Sequence, residues 1–355
     1  MMRFMDGFDH HTQSTMVSYG KWDAAPAGGA TGSTSAKQRF SGFGQYYVTD
    51  LATRYLEKTF GANEASGVFG VAFRIDFSGT SLYQCLPMIL YDGTTPQLFL
   101  KMNTDRTISI CRTTTGTVLG TSTYVVPVDQ YIYLEWKWKI SNSISTDDVI
   151  VYADGVDILN LAATTDTQGT SNAYATKFRL HADNGLLNVT ASPCYYDDFY
   201  WLDLTGSNNN TPKGPVRIVT LSPTATGNRS QLVNNSGNST NNFNRVDEIP
   251  PTDDTDYVET STTGNKDTYG FGDLPATVSS IYAVAINTGA KKTDVAARTF
   301  KSQVRISSTD YENAEQTLTT NYKNFQDIME VSPATSSPFT ASEVNGAEYG
   351  TKCHA

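Results

Sequence analysis

The stretch "YIYLEWKWKI" at 131–140 constrains the fold more than any other part of the chain. Ile132, Leu134, Trp136, Trp138 and Ile140 alternate with Tyr133, Glu135, Lys137 and Lys139, so one side is apolar and the other polar. A helix repeats its faces every ~3.6 residues and cannot satisfy a period of two. The segment therefore predicts a strand of an antiparallel sheet with one solvated face. In "GVFGVAFRIDFSG" (67–79) the same period puts Phe69, Val71, Phe73, Ile75 and Phe77 on one face. Other apolar runs meet at turn signals: Asp92-Gly93, a turn near Gly116, and Asp154-Gly155, where a hairpin is expected. Strands at short intervals without a helical period mean a sandwich or barrel. Trp136 and Trp138, two apart on the apolar face, read as core rather than as a platform for sugars.

At 355 residues the chain exceeds one ordinary core and predicts two domains. Only 17% of residues are charged, while Thr, Ser, Asn and Gly are abundant, which suits strands joined by polar turns. The fold class expected is all-β. The first domain is expected over 1–206, with 20–37 a long loop after an opening strand. A linker, "SNNNTPKGP", follows at 207–215, and a second β domain occupies 216–355. There "VRIVTLSP" reads as a strand and 224–244 as an Asn/Ser/Thr-rich loop that neighbouring subunits would order. Three more strands are expected in "SSIYAVAINTGAKKT", "ARTFKSQVRISST" and "NYKNFQDIMEV". One short helix is expected after Thr340, an N-cap with Glu343 three residues on.

Net charge is −10 with no basic cluster, which removes the electrostatic footprint of a nucleic-acid binder or a polybasic membrane anchor. No apolar run of ~18 residues predicts a bilayer span, and the start lacks the apolar core of a signal peptide. Cys85, Cys111, Cys194 and Cys353 are far apart and form no zinc spacing; the first three read as buried free thiols. Sequons at Asn188, Asn209, Asn228, Asn234 and Asn238 read as by-products of composition. His10 and His11 are adjacent and expected to face apart; His181 and His354 stand alone. "GFGQYY" (42–47) lacks the strand–helix setting of a phosphate loop. No cofactor is expected.

The segment most suggestive of chemistry is "YYDDFYWLDLTG" at 195–206. Glycoside hydrolysis needs two carboxyls about 5–10 Å apart across one bond. Asp197 and Asp198 are neighbours on a strand and point to opposite faces, so they cannot be that pair. As an ordinary strand the segment puts Tyr195, Asp197, Phe199 and Trp201 on one face, with Tyr196, Asp198, Tyr200 and Leu202 on the other. An exposed patch of Tyr195, Tyr196, Asp198 and Trp201 would suit a glycan or an interface. Calcium is a second reading for acids here and in "VDEIPPTDDTDYVE", where Asp253, Asp254 and Asp256 are weak candidates. That stretch lacks the Gly and terminal Glu of an EF-hand loop, and a solvated acidic turn is the simpler reading. No metal site is expected.

"RFMDGFDH", "YIYLEWKWKI", "VIVYADGV" and "YYDDFYWLDLTG" together resemble the concanavalin A/laminin-G-like jelly-roll modules of tailed-bacteriophage virion proteins. The blocks "KGPVRIVTLSPTATG", "VDEIPPTDDTDYVETSTTGNKDTYGFGDLP" and "SPFTASEVNGAEYG" are similar to a C-terminal module found in phage tail-fibre and other virion proteins. The resemblance implies a jelly roll in which the "DGFD" strand pairs with the Asp-Asp-aromatic strand. The seam between them would be formed by Asp6, Asp9 and Asp197. It also implies a non-enzymatic virion protein assembled in the host cytoplasm, more on the tail than the head. Its partners would be portal, adaptor or tail proteins, alternatively capsid, with a host-surface glycan as a possible ligand. A homo-oligomer is implied, a trimer if it forms a fibre. A head-surface fibre or decoration protein, or a lectin-like module, is the alternative.

Overall fold

The computed structural model describes the chain except residues 26–28, 32–38, 41–45, 49–54, 77–83 and 181–193. Phe77, His181, Asn188 and most of the 42–47 segment lie outside the described residues. The chain forms two compact units: Met1–Gln13 with Trp22–Ile218, and Ser14–Lys21 with Val219–Ala355.

Strands of the first unit run β1 (Met2–Asp6), β2 (Gly29–Thr31), β3 (Tyr46–Val48), β4 (Leu56–Glu64), β5 (Ser66–Ile75), β6 (Met88–Asp92) and β7 (Thr95–Met102). They continue as β8 (Thr107–Arg112), β9 (Thr117–Val125), β10 (Ile132–Lys139), β11 (Ile150–Ala153), β12 (Val156–Asn160), β13 (Ala175–Leu180) and β14 (Cys194–Leu202). One sheet has the order β12-β11-β10-β5-β14-β3-β2, with β1 also pairing β14; the other has the order β4-β13-β6-β7-β8-β9. The two antiparallel sheets form a jelly-roll sandwich whose core lies between them. The alternation read from the sequence is the cause: Trp136 and Trp138 are fully buried, and Phe69 packs on Phe178 of the opposite sheet at 4.8 Å between ring centroids. Asp154 (φ 50°) and Gly155 (φ 81°) both take the left-handed conformation, closing β11 and β12 with the two-residue hairpin turn expected. The first and last strands pair, with Asp6 opposite Phe199.

The second unit contains β15 (Pro223–Ser230), β16 (Val233–Asn234), β17 (Val258–Glu259), β18 (Lys266–Phe271), β19 (Val284–Ala290), β20 (Thr299–Ile306), β21 (Thr309–Thr317), β22 (Lys323–Met329) and β23 (Glu348–Cys353). Its main sheet has the order β15-β18-β23-β20-β21, and β19 pairs β22. Ile286 of β19 shares a core with Val304, Ile306, Phe339, Val344 and Tyr349, giving a smaller β-sandwich. The expected helix is α2 (Ala341–Gly346), capped by Thr340, whose side chain accepts from the Glu343 N–H. A second helix, α1 (Gln13–Ser18), was not expected; "QSTMVS" carries neither an acidic first turn nor a basic last one to announce it.

Two expectations fail here. "VRIVTLSP" is no strand; the strand begins at its last residue and runs through Pro223–Ser230, inside the Asn/Ser/Thr tract. Beyond that strand the tract is tied to β18 of the same unit. The buried Asp267 carboxylate accepts from Gln231 N (2.6 Å), Leu232 N (2.8 Å), Asn242 Nδ2 (2.6 Å) and Tyr269 Oη (3.0 Å). Asn242 in turn donates to Leu232 O at 3.0 Å, and Asn234 Nδ2 to Thr240 O at 3.1 Å.

Candidate functional site at the Asp197–Asp198 bulge

β14 is buried along its whole length, a pattern that one-sided packing cannot produce. Its inner face meets the opposite sheet. Over the outer face of its own sheet the stretch read as a linker, 207–215, and the three residues after it run as a strap. Lys213 N donates to Glu135 Oε1 at 2.7 Å, and Gly214 N donates to both Glu135 oxygens at 3.1 and 3.0 Å. Tyr200 Oη donates to the same carboxylate from β14, across the intervening β5. To do so its ring crosses Gly70, where a Cβ would overlap it. Glycine inside a strand marks such close approaches, and Gly70 in "GVFGVAF" is a legible trace of this covering. The polar face of "YIYLEWKWKI" is therefore not solvated at its centre: Tyr133 and Glu135 are each 1% exposed.

The bulge lies at Asp198. Asp197 pairs with Ala72 and Tyr200 with Gly70, so three steps on β14 oppose two on β5. The extra residue is Asp198, with φ 51°. Insertion of one residue switches the faces. Phe73 pairs with Tyr196 and Phe69 with Trp201, so Tyr196 and Trp201 both look inward. Tyr195, Asp197, Tyr200 and Leu202 look outward, and Phe199 joins the core beside Trp22 and Phe178. The strict alternation expected of this strand is thus corrected by the bulge.

Asp198 Oδ1 accepts from Ile218 N at 2.6 Å, and Arg39 Nη1 binds Oδ2 at 2.5 Å and Val216 O at 2.6 Å. Arg39 also lies 4.9 Å from the Tyr133 ring centre, and Tyr133 Oη donates to Asp198 O at 3.0 Å. Asp197 Oδ1 accepts the Asp198 N–H at 2.8 Å. Burial, then the nearby Asp198 and Asp9 carboxylates, push the Asp197 carboxyl up to about 9. Burial raises Asp198 as well, against the pull of Arg39 and the Ile218 N–H. The ion pair with Arg39 favours the charged form of Asp198, while burial beside that carboxylate favours the protonated form of Asp197. Asp6 is buried and accepts from Phe8 N (2.8 Å) and Trp22 Nε1 (2.7 Å), which folds the "DGFD" turn back on itself. Gly7 sits against Ile218 of the strap, where a Cβ would be 3.1 Å from the Ile218 side chain.

Tyr195, Tyr196, Asp198 and Trp201 form no exposed patch: they are 4%, 0%, 2% and 6% exposed. Trp201 packs on Phe60 at 4.6 Å inside the core. In the second unit Asp253, Asp254 and Asp256 lie at a 3-10 turn over Asp253–Thr255, and two of them meet protein cations: Asp254 binds Lys291 at 2.6 Å and Asp256 binds Arg245 at 2.6 Å. Among the described residues no three His, Cys, Asp or Glu side chains gather as a metal site. His10 and His11 do not face apart; their rings lie 4.1 Å from each other. Among the described residues no helix is long and apolar enough to cross a membrane.

No family model matches the chain, and no curated protein matches it in sequence. Solved structures similar to part of it include the carbohydrate binding module CBM66 from Bacillus subtilis, at 8% identity over 45% of this chain and 86% of that one, with a TM-score of 0.31. Cip1, a cellulose induced protein, is 14% identical over 60% of this chain and all of its own, with a TM-score of 0.42. A Bacillus subtilis protein of unknown function with a galectin-like fold is 12% identical over 57% of this chain and 95% of that one, with a TM-score of 0.37. At scores and identities this low the likenesses transfer no function.

Proposed function

We propose that this chain is a non-enzymatic structural and adhesion component of a bacteriophage particle, a tail fibre or tail-associated protein serving host adsorption. One observation supports the non-enzymatic part. Glu135, Asp197 and Asp198, the acids of the aromatic strands, are all buried, and backbone N–H groups occupy each of them. A general acid or nucleophile must reach its substrate, and these carboxylates instead fasten a strap and a bulge. The particle assignment rests on the resemblance of both sequence modules to virion proteins. In this reading the protein assembles in the host cytoplasm as a homo-oligomer, beside portal, adaptor or tail proteins.

Electron microscopy of purified particles tests the proposal. Density for the jelly roll at the tail supports it. Density on capsomers moves the protein to the head, and absence from the particle removes the virion reading. Release of reducing ends from host polysaccharide by the purified chain would refute the non-enzymatic part.

A further inference from the structure

The core of the jelly roll holds two thiols in contact that the Asp197–Asp198 bulge does not use. Cys85 and Cys194 are 3% and 0% exposed, and the Cys194 S–H donates to the Cys85 sulfur. They come from opposite layers of the sandwich. Cys85 N donates to Met102 O at 3.3 Å and Met102 N to Cys85 O at 2.8 Å, which fixes Cys85 beside β7. Cys194 opens β14 in the other sheet, opposite Ile75 of β5 and Val48 of β3. Pairing from Cys194 to Asp197 is regular, so Cys194 shares the inward face of Tyr196. Tyr196 Oη donates to its sulfur. The other two cysteines lie elsewhere: Cys111 in a cluster with Leu86, Ile89, Tyr91 and Phe99, and Cys353 in the second unit.

Thiols held in contact by paired backbone on both sides are the arrangement from which a disulfide closes with least movement. Burial, then the Cys85 contact, raise the Cys194 thiol against the pull of the Tyr196 hydrogen bond. The thiolate, which is the nucleophile, is therefore scarce, and closure is slow while the core stays shut.

We infer that Cys85 and Cys194 form a redox lock, which a low-molecular-weight disulfide closes into a bond stapling the two sheets together. The Cys194 thiolate attacks the oxidant, forming a mixed disulfide and releasing one small thiol. The Cys85 thiolate then displaces the second small thiol. Two protein S–H bonds become one S–S bond, and the small disulfide is reduced to two thiols. The loop so closed contains β6 to β13 whole. A cross-link over a loop on the order of 100 residues constrains the unfolded chain strongly. The timing of closure rests on the proposed function: a chain made in the reducing cytoplasm stays open and locks after lysis releases it. The bond itself is measured on the purified chain, so its failure leaves the particle assignment standing.

The test incubates the reduced full chain with glutathione disulfide, in native buffer and in urea just below the unfolding midpoint, where opening exposes the core. The product is denatured, alkylated without reductant and mapped by mass spectrometry. A peptide pair linked through Cys85 and Cys194 is expected, with Cys111 and Cys353 outside any intramolecular bond. On oxidation the urea midpoint read from tryptophan emission should rise by about 1–2 M. Cys85→Ser should abolish that rise and Cys353→Ser should keep it; if Cys85→Ser does not fold, the wild-type peptide map decides alone. Alkylation of all four thiols in both buffers overturns the inference. So does linkage of a different cysteine pair, or an oxidised midpoint equal to or below the reduced one.

Discussion

Replacing Glu135 by alanine isolates the strap. The substitution removes the acceptor of Tyr200 Oη, Lys213 N and Gly214 N at once. Each donor left unsatisfied in a buried setting costs about 1–3 kcal/mol, but the strap can lift and let water reach two of them. A net loss of about 3–5 kcal/mol follows, the range found when one partner of a buried charged contact is removed. With a urea m-value of about 2 kcal/mol/M the midpoint falls by about 2 M. Glu135→Gln keeps an acceptor but loses the charge and should fall by about half as much. The assay is intrinsic fluorescence: all four tryptophans, Trp22, Trp136, Trp138 and Trp201, belong to the first unit, so their emission reports that unit alone. Tyr200→Phe removes one of the same bonds, and the double variant should cost less than the sum of the singles. A Glu135→Ala midpoint within about 0.5 M of wild type would refute the strap as a stabilising contact.

Asp197→Asn tests the buried carboxyl. Its folded pKa is raised, to about 9, so its favourable contribution is complete below the ordinary aspartate pKa near 3.8 and is lost as pH rises toward 9. In EDTA-containing buffer the variant should match wild type near pH 4 and exceed it at pH 8; equal stability at both would discard the assignment. Asp310 has the opposite sign. Hydrogen bonds and charge from Lys266, Arg305 and Arg229 outweigh burial and depress it to about 2, so its contribution is present above about pH 4 and disappears as pH falls through 2. Asp310→Asn should therefore destabilise the second unit at pH 7 but not at pH 2, read by far-ultraviolet circular dichroism because that unit contains no tryptophan. Burial pushes Cys111 up to about 11 and raises Cys194 as well, whereas Cys353 is half-buried. A thiol reagent at pH 8 should titrate Cys353 quickly and Cys85, Cys111 and Cys194 only after denaturation; rapid labelling of all four would contradict the burial.

What the sequence made legible follows from what periodicity encodes. Alternation in β5 and β10 located the first core because each residue's facing depends only on its own position. The Asp154-Gly155 turn was equally local, since two left-handed residues in a row demand that chemistry. The Ser307-Ser308 turn between β20 and β21 has the same geometry (φ 47° and 72°) without Gly or Asn, and β21 went unrecognised along with the polar strands β18 and β23.

The misreadings of the covered acids share one physical origin, the backbone N–H of a distant segment bonded to a carboxylate. Glu135 takes its donors from 213–214, Asp198 from Ile218, and Asp267 from 231–232. A main-chain donor leaves no trace in residue identity, so a covered acid reads like a solvated one. The remaining signal is indirect. A glycine inside a neighbouring strand, as at Gly70, marks where something crosses, and a strand apolar or aromatic on both faces, as in β14, cannot have one face in water. Together these clues place a covering element over the acids of an all-β chain. They also move the search for a binding surface away from the aromatic acid pair, because an acid held by backbone donors is already satisfied and has nothing left to offer a ligand.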